Sequence, residues 1–175
     1  MSAPLLVFGW GNLSRGDDAL GPMLIQKMRG WQNSNGDDRV EFLEDYQLQI
    51  EHALDLVGRK HVLFVDASMS CAAPFEVTEL SASRDDTFTT HAVSPQSVMQ
   101  VYTELARAAP PPCTLLAIRG SRFELGEPPQ DVALDHLDHA LHWVHSWLTT
   151  NTALIDDEFE VIAADTLVGT ENHNA

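Results

Sequence analysis

The feature that most constrains this chain is an apolar segment that runs into a glycine turn and then into two adjacent carboxylates. It comprises Leu5-Leu6-Val7-Phe8-Gly9-Trp10-Gly11-Asn12, and it leads through Asp17-Asp18 to Gly21-Pro22. A continuous apolar run is typical of a strand covered on both faces, and proline is tolerated in the first turn of a helix. This strand, turn and helix look like a phosphate-binding loop, but the acids occupy the place that a phosphate would take at the helix N-terminus. We therefore expect a cation at this turn.

Strands and helices alternate along the chain, which predicts an α/β fold. The expected architecture is a three-layer sandwich, with a mostly parallel five-stranded sheet covered by helices on both faces. The apolar pattern predicts strands at about 4–9, 40–44, 61–66, 74–79 and 113–119, and helices at about 19–29, 48–57, 94–108 and 130–148. Gly30 is the predicted end of the first helix. We expect one domain over residues 1–150, followed by an acidic, partly mobile C-terminal tail over 151–175.

The charge balance narrows the partners. The chain has 10 lysines and arginines against 26 aspartates and glutamates, a formal charge of −16. This surplus repels nucleic acid and anionic membranes, and it favours basic partners or metal cations. The apolar runs are far shorter than the roughly 20 residues that span a bilayer, so we expect a cytoplasmic protein. We also expect a monomer. Cys71 and Cys113 are isolated; buried, reduced thiols and a disulfide are both open, and we expect the former.

Three side chains of the kind that bind metals fall at one edge of the predicted sheet. Asp18 follows the first strand, Asp66 ends the central strand, and His91 lies in the loop after the fourth strand. Ligands of parallel α/β sheets bind beyond the carboxyl ends of the strands. Two carboxylates and an imidazole suit a divalent transition metal ion with positions left open for water or substrate.

Each of these residues also has a simpler interpretation. Asp17 or Asp18 is expected to cap the first helix, which leaves the other free to act as a ligand. Asp66 could instead bind loop amides at the strand end, and His91 could be an ordinary loop histidine. The occurrence of all three at one sheet edge favours the metal hypothesis.

The combined motifs resemble those of the nickel–iron hydrogenase maturation endopeptidases. They are Gly9-x-Gly11-Asn12, then Asp17-Asp18-x-x-Gly21, then an apolar strand ending in Asp66-Ala67, then Thr90-His91 before a helix. The resemblance covers about residues 4–148. Segments 45–56 and 89–95 look most like the branch that serves NAD-reducing hydrogenases.

The resemblance implies an activity and its residues. Such an enzyme removes the C-terminal extension of a hydrogenase large-subunit precursor after nickel insertion, so the precursor is the partner and carries the nickel. The implied metal-contacting and catalytic residues are Asp18, Asp66 and His91. The chain has neither a GxSxG elbow nor an HExxH pair, which agrees with a peptidase that uses the precursor's metal. The supporting turn comprises Gly9, Gly11, Asn12, Asp17 and Gly21, with Asp17 as the expected helix cap and the first two glycines allowing close approach of substrate.

Two other functions remain as alternatives. A dinucleotide-binding domain is suggested by Gly9-x-Gly11 and by Glu44 or Asp45 at the end of the second strand, but Ser14 replaces the third glycine and the acids oppose a pyrophosphate. A non-enzymatic nickel-binding chaperone is suggested by histidines at every third position, although helical periodicity gives this segment a leucine-rich core stripe and points two of them outward. The histidines are His136, His139, His142 and His145.

Three further residues fall at the same edge. Arg119 and Arg122 follow the last strand and are either scaffold residues or contacts for the precursor's C-terminal segment. Trp10 inside the glycine turn is either an exposed platform for substrate or a space-filling side chain.

Overall fold

A five-stranded sheet forms the centre of the molecule. The computed structural model describes residues 2–84 and 93–171, with side chains as far as Glu158. The strands are β1 Leu5–Trp10, β2 Val40–Asp45, β3 His61–Ser68, β4 Phe75–Glu79 and β5 Cys113–Arg119. Their order is β2-β1-β3-β5-β4, and all neighbours are parallel except β4, which runs antiparallel to β5. The predicted mostly parallel five-stranded sheet is confirmed.

Helices cover both faces of this sheet, as predicted. They are α1 Leu20–Asn35, α2 Pro95–Ala106 and α3 Asp131–Glu171, and two short 3-10 helices span Gly16–Ala19 and Ile50–Leu56. On one face, α1 and α3 pack on alternate side chains such as Leu5 and Val7. On the other, α2 and the second 3-10 helix pack on Leu6 and Phe8. The continuous apolar run in β1 thus reflects burial on both sides.

The first two predicted helices differ from the structure, one in its end and the other in its type. The first helix passes through the exposed Gly30 and ends at Asn35, where Gly36 adopts a left-handed φ of 69° and caps it. Packing of Trp31 against the core favours the extra turn over the local cost of a glycine, which is about 1 kcal/mol. The segment predicted as a helix over 48–57 is a 3-10 helix, Ile50–Leu56.

The last helix continues past its predicted end at 148. Thr152 and Ile155 are buried, and Asp156 forms an ion pair with Arg39 at 2.6 Å. These contacts hold the helix against the domain although the sequence there is rich in polar residues.

The strand order creates a switch point at the carboxyl edge. The chain leaves β1 for β2 on one side and later enters β3 on the other side of β1. The loops after β1 and β3 therefore diverge and leave a crevice, the usual ligand position in such sheets.

Cys71 and Cys113 are free and buried, as predicted. Of the helices described, none combines the length and apolar character needed to cross a membrane.

Candidate functional site

The glycine turn after β1 is shaped by the start of α1. Gly11 has a φ of 145°, and a Cβ there would overlap the carbonyl oxygen of Asp18. A Cβ on Gly9 would lie 2.7 Å from the carbonyl oxygen of Gly21, and one on Gly21 would overlap the carbonyl oxygen of Trp10. The expectation that Gly9 and Gly11 allow close approach of substrate stays a prediction. Their missing side chains make room for the protein's own helix.

Asn12 fixes the position of Asp18. Its backbone N–H donates to Asp18 Oδ2 at 3.0 Å, and its side-chain amide donates to the Tyr46 hydroxyl at 2.9 Å. The Asn12 Oδ1 atom also accepts from the N–H of Ser14 at 2.9 Å. The half-buried Asp18 carboxylate is thus held by one oxygen at the mouth of the crevice.

Asp17 does not cap a helix, contrary to the prediction. Its carboxylate is fully buried and accepts three backbone N–H groups from the loop between β5 and α3. The donors are Ser121 and Arg122, at 2.8 and 3.0 Å from Oδ2, and Gln130, at 2.8 Å from Oδ1. Neither the 3-10 helix Gly16–Ala19 nor α1 has a side-chain N-cap hydrogen bond. The 3-10 helix leads directly into α1 without a side-chain cap. The Asp17 carboxylate instead joins the segment after β1 to the loop between β5 and α3.

Asp66 lies beside Asp18 at the switch point. Burial raises the pKa of Asp66 from its ordinary 3.8 to about 7, the backbone N–H of Ala67 opposes the rise, and the negative charge of Asp18 adds to it. The Ala67 N–H donates to Asp66 Oδ1 at 2.9 Å. Within the described residues, no hydrogen bond reaches Oδ1 of Asp18 or Oδ2 of Asp66. Each carboxylate therefore keeps one oxygen available.

Two carboxylates in this arrangement favour a bound cation. Their charges repel each other in a partly desolvated crevice, and the described residues supply no lysine or arginine that forms an ion pair with either one. Their free oxygens are the hard donors that divalent ions accept. The donor set thus fits part of the predicted metal site.

Comparison with known proteins gives matches among solved structures. No protein-family model and no curated protein matches the sequence. HycI, a nickel–iron hydrogenase maturation protease from Thermococcus kodakarensis KOD1, superposes with a TM-score of 0.66 at 17% identity, over 84% of this chain and 93% of its own. The E. coli hydrogenase maturating endopeptidase HybD gives 0.65 at 21% identity, over 86% and 94%. A hydrogenase 2 maturation peptidase from Thaumarchaeota archaeon SCGC_AB-539-E09 gives 0.60 at 19%, over 82% and 97%.

The chain has the fold of these hydrogenase maturation proteases. The similarity extends over nearly the full lengths of these neighbours. The α/β architecture expected from the sequence agrees with this similarity.

The third predicted metal residue, His91, lies outside the described residues. Asp18 is near enough to Asp66 for its charge to raise the pKa of Asp66. Among the residues that the structure describes, no three histidine, cysteine, aspartate or glutamate side chains cluster closely enough to hold a metal ion. The role of His91 stays a prediction.

The geometry of the turn disfavours a dinucleotide site. A pyrophosphate needs free backbone N–H groups, but Gly11 donates its N–H to the carbonyl oxygen of Asp45 at 3.2 Å and Asn12 donates to Asp18. The predicted ribose-binding acids are engaged as well. Glu44 pairs with Arg29 at 2.8 Å, and Asp45 contacts His52 at 3.1 Å.

The histidines of α3 do not form one metal strip. His136 contacts the carbonyl oxygen of Arg119 at 2.8 Å, while His145 packs edge-on against Trp31. The intervening His139 and His142 point outward, as the helical periodicity predicts. The side chains described in this helix therefore give the chaperone hypothesis no composite site.

Trp10 fills space. It is 8% exposed and packs against Phe8 and Phe64, with ring centroids 6.1 and 6.0 Å away.

The sequence did not predict the anchoring by Asp17, since its three donors lie more than one hundred positions along the chain. The one available signal was the presence of two adjacent acids. Since α1 has no side-chain cap, Asp17 has no local role and must have a distant partner.

Proposed function

We propose that this chain is an endopeptidase that removes the C-terminal extension of a nickel–iron hydrogenase large-subunit precursor after nickel insertion. The nickel belongs to the precursor and serves as the recognition signal, while the chain contributes ligands and positioning. The proposal extends the named activities of the structural neighbours to this chain.

The observation that carries the proposal is the pair formed by Asp18 and Asp66. Both carboxylates lie at the switch point of a maturation-protease fold, and each has an oxygen without a hydrogen-bond donor among the described residues. A site that is negatively charged and partly desolvated in the free protein is prepared to accept a cation that arrives with a substrate.

The residues have distinct roles in this proposal. Asp18 and Asp66, joined by His91, would hold the precursor's nickel beside the scissile peptide. The bound ion supplies Lewis-acid polarisation of the carbonyl group to be attacked. Asn12 positions Asp18, and Asp17 anchors the loop between β5 and α3. Precise placement of the peptide against these groups would provide much of the rate enhancement.

The cysteines offer no competing nucleophile. Burial raises the pKa of the Cys113 thiol to about 12, so the thiol stays protonated at neutral pH. Cys71 is buried, and its Sγ donates to the carbonyl oxygen of Ala117 at 3.4 Å. These surroundings support a mechanism without a covalent cysteine intermediate.

We further propose a hydrogenase class for the precursor, a compartment for the reaction and an oligomeric state for the enzyme. The motifs in segments 45–56 and 89–95 favour the large subunit of an NAD-reducing hydrogenase. We place the reaction in the cytoplasm and assign it to a monomer. A panel of large-subunit precursors from several hydrogenase classes tests the preference, which requires faster cleavage of the NAD-reducing member.

The central experiment compares nickel-loaded and nickel-free precursors. Each is incubated with the wild-type chain, and the products are weighed by mass spectrometry. We expect cleavage of the loaded form alone. Asp66→Asn and His91→Ala are expected to abolish cleavage while keeping the wild-type circular dichroism spectrum.

Two matched variants serve as controls. Asp55→Asn alters another half-buried aspartate whose pKa is raised by burial, and His139→Ala alters an exposed histidine on α3. Both should cleave normally. Equal cleavage of both precursor forms would remove the nickel requirement and leave a peptidase, whereas nickel transfer without cleavage would establish the chaperone function instead.

Calorimetry tests where the nickel resides. If it belongs to the precursor, the isolated chain should bind nickel weakly and chelators should leave its unfolding transition unchanged. A tight site that stabilises the fold would contradict a substrate-borne metal.

A further inference from the structure

Basic side chains are distributed unevenly over this acidic protein. Half of the ten lysines and arginines form ion pairs with acids in the described part of the chain: Arg29, Arg39, Arg59, Lys60 and Arg84. Three of the others, Arg15, Arg119 and Arg122, lie in or next to the loops at the carboxyl edge. With 26 acids in the chain, a group of arginines without acidic partners is unexpected at this edge.

Arg119 is the most confined of the three. It is the last residue of β5 and half-buried, and its Nη1 atom donates to the carbonyl oxygen of Cys71 at 2.8 Å. A carbonyl oxygen orients the guanidinium without neutralising its charge. Arg119 therefore carries a positioned positive charge that forms no ion pair with an acid of the described residues.

This guanidinium borders a cavity of about 470 Å³, which we call the Arg119 pocket. Its walls are small or apolar apart from a few polar groups, and none of the described residues lining it is acidic. Besides Arg119 they are Cys71, Ala72, Ala73, Gly120, Ser121, Val132, Ala133 and His136. Val132 and Ala133 belong to the first turn of α3, where the positive end of the helix dipole favours an anion and the charge of the exposed Asp131 opposes one.

The pocket walls are fixed in advance. The Nδ1 atom of His136 lies 2.8 Å from the carbonyl oxygen of Arg119, and since a carbonyl can only accept, Nδ1 carries the hydrogen. This bond joins α3 to the end of β5. The buried Asp17 holds the backbone of Ser121 and Arg122 in the same way from the other side.

The pocket begins at the end of β5, beside the strand that carries Asp66. In the β3–β5 register Asp66 is opposite Ala117, and Ser68 is opposite Arg119. Arg119 is therefore two positions beyond Asp66, roughly 7 Å along the sheet. A peptide held in the crevice could extend into the pocket, toward the end of the chain that the proposed reaction removes.

We propose that the Arg119 pocket binds the terminal carboxylate of the precursor's C-terminal extension. This assignment rests on the proposed function, because that reaction requires a substrate segment with a free chain end. The planar guanidinium fork matches a carboxylate, and the small wall residues leave space for the accompanying main chain. A terminal carboxylate is the negative charge that every extension carries whatever its sequence. The rest of this acidic protein repels such a charge.

Peptide binding tests the pocket without requiring catalysis. The probe is a fluorescein-labelled peptide with the C-terminal sequence of the precursor, made with a free carboxylate and with a terminal amide. We expect the wild-type chain to prefer the free acid, and Arg119→Gln to raise its Kd by about ten- to hundredfold, as expected for loss of a charge-assisted hydrogen-bond pair. Arg119→Lys should retain part of the affinity because it keeps the charge but not the fork.

The matched control is Arg107→Gln. Arg107 follows α2, at the amino edge of β5 and opposite to the candidate site, and the variant makes the same change in net charge. It should bind both peptides as the wild type does. A third peptide keeps the terminal carboxylate but replaces its acidic side chains by amides. If this peptide loses affinity as the amidated one should, the pocket binds side-chain carboxylates and the assignment is wrong.

Processing kinetics separate this inference from the proposed function. With the loaded precursor, Arg119→Gln should raise KM and leave kcat near the wild-type value, since Arg119 contacts a remote part of the substrate. Cleavage with an unchanged KM, together with equal binding of free-acid and amidated peptides, overturns the pocket and leaves the peptidase intact. If the wild type cleaves nothing, the proposed function fails, and the peptide preference alone decides the pocket.

Discussion

Asp17 and Asp18 are adjacent in one short 3-10 helix, and their carboxylates lie in very different surroundings. Asp17 is fully buried and receives three backbone N–H groups from a distant loop. Asp18 is half-buried and receives one, from Asn12. The Asp17 carboxylate thus anchors the loop on one side of the turn with three hydrogen bonds. The Asp18 carboxylate, in the crevice on the other side, keeps one oxygen open to a ligand.

The difference separates structural from functional negative charge. Three N–H donors compensate the Asp17 charge within the fold. At the crevice, Asp18 and Asp66 repel each other with far fewer donors, and burial holds the pKa of Asp66 at about 7. An uncompensated charge of this kind is typical of a binding site, where a ligand supplies the missing compensation.

The largest effect is expected from removal of the structural charge. Asp17→Ala would leave three buried N–H groups without an acceptor and should lower the free energy of unfolding by about 3–5 kcal/mol. Asp18→Ala should lower it by less than about 1 kcal/mol, because a half-exposed carboxylate with one donor contributes little. Urea denaturation measures both values. The exposed Asp138→Ala serves as the control, and equal losses for the two neighbours would abolish the distinction between them.

The opposite sign is expected at Asp66. Its folded pKa of about 7 exceeds the unfolded value near 3.8, so the folded state binds the extra proton between these pH values and its stability falls as the pH rises through them. Asp66→Asn removes that dependence. Because Asp66 keeps some contact with solvent, we expect a gain of about 1–2 kcal/mol at pH 8 and almost none at pH 3.

Thermal and urea unfolding across this pH range test the prediction. The variant should be more stable than the wild type at pH 8, although we expect it to lose precursor processing. A variant that is less stable at pH 8 would mean that the Asp66 charge is compensated in the free protein.

A smaller effect should appear when only the charge of Asp18 is removed. Asp18→Asn keeps an oxygen for the Asn12 N–H but eliminates the negative charge that adds to the pKa of Asp66. That pKa should fall, yet stay above its ordinary value because burial remains the main cause. Carboxyl carbon chemical shifts in an NMR titration report it directly, and an unchanged pKa would show that the two carboxylates do not interact.

The smallest effect is expected far from the crevice. Replacing the exposed His139 and His142 on α3 by glutamine should leave precursor processing unchanged. Weak nickel binding, measured by titration, is the one property that should decrease. Impaired processing in this variant would show that these two histidines take part in the reaction.

The centre of the sheet was predictable from the sequence because β1 and residues 62–65 of β3 are buried and therefore apolar. The meeting of Asp18 with Asp66 followed from topology, since parallel strands share one carboxyl edge. The end of α1 was mispredicted because tertiary packing of Trp31 overrides the glycine signal at Gly30. The role of Asp17 had no local signature, because its partner Ser121 lies 104 positions away.

The sheet order has a consequence for how the site is lost. Both β1 and β3, the strands that precede Asp18 and carry Asp66, are bonded to a strand on each side. Amide hydrogens in such central strands exchange with solvent deuterium only when the whole sheet opens, whereas those in the edge strands β2 and β4 exchange through smaller openings. The two carboxylates thus stand on the last part of the sheet to unfold, and their arrangement should survive partial unfolding that releases the outer strands.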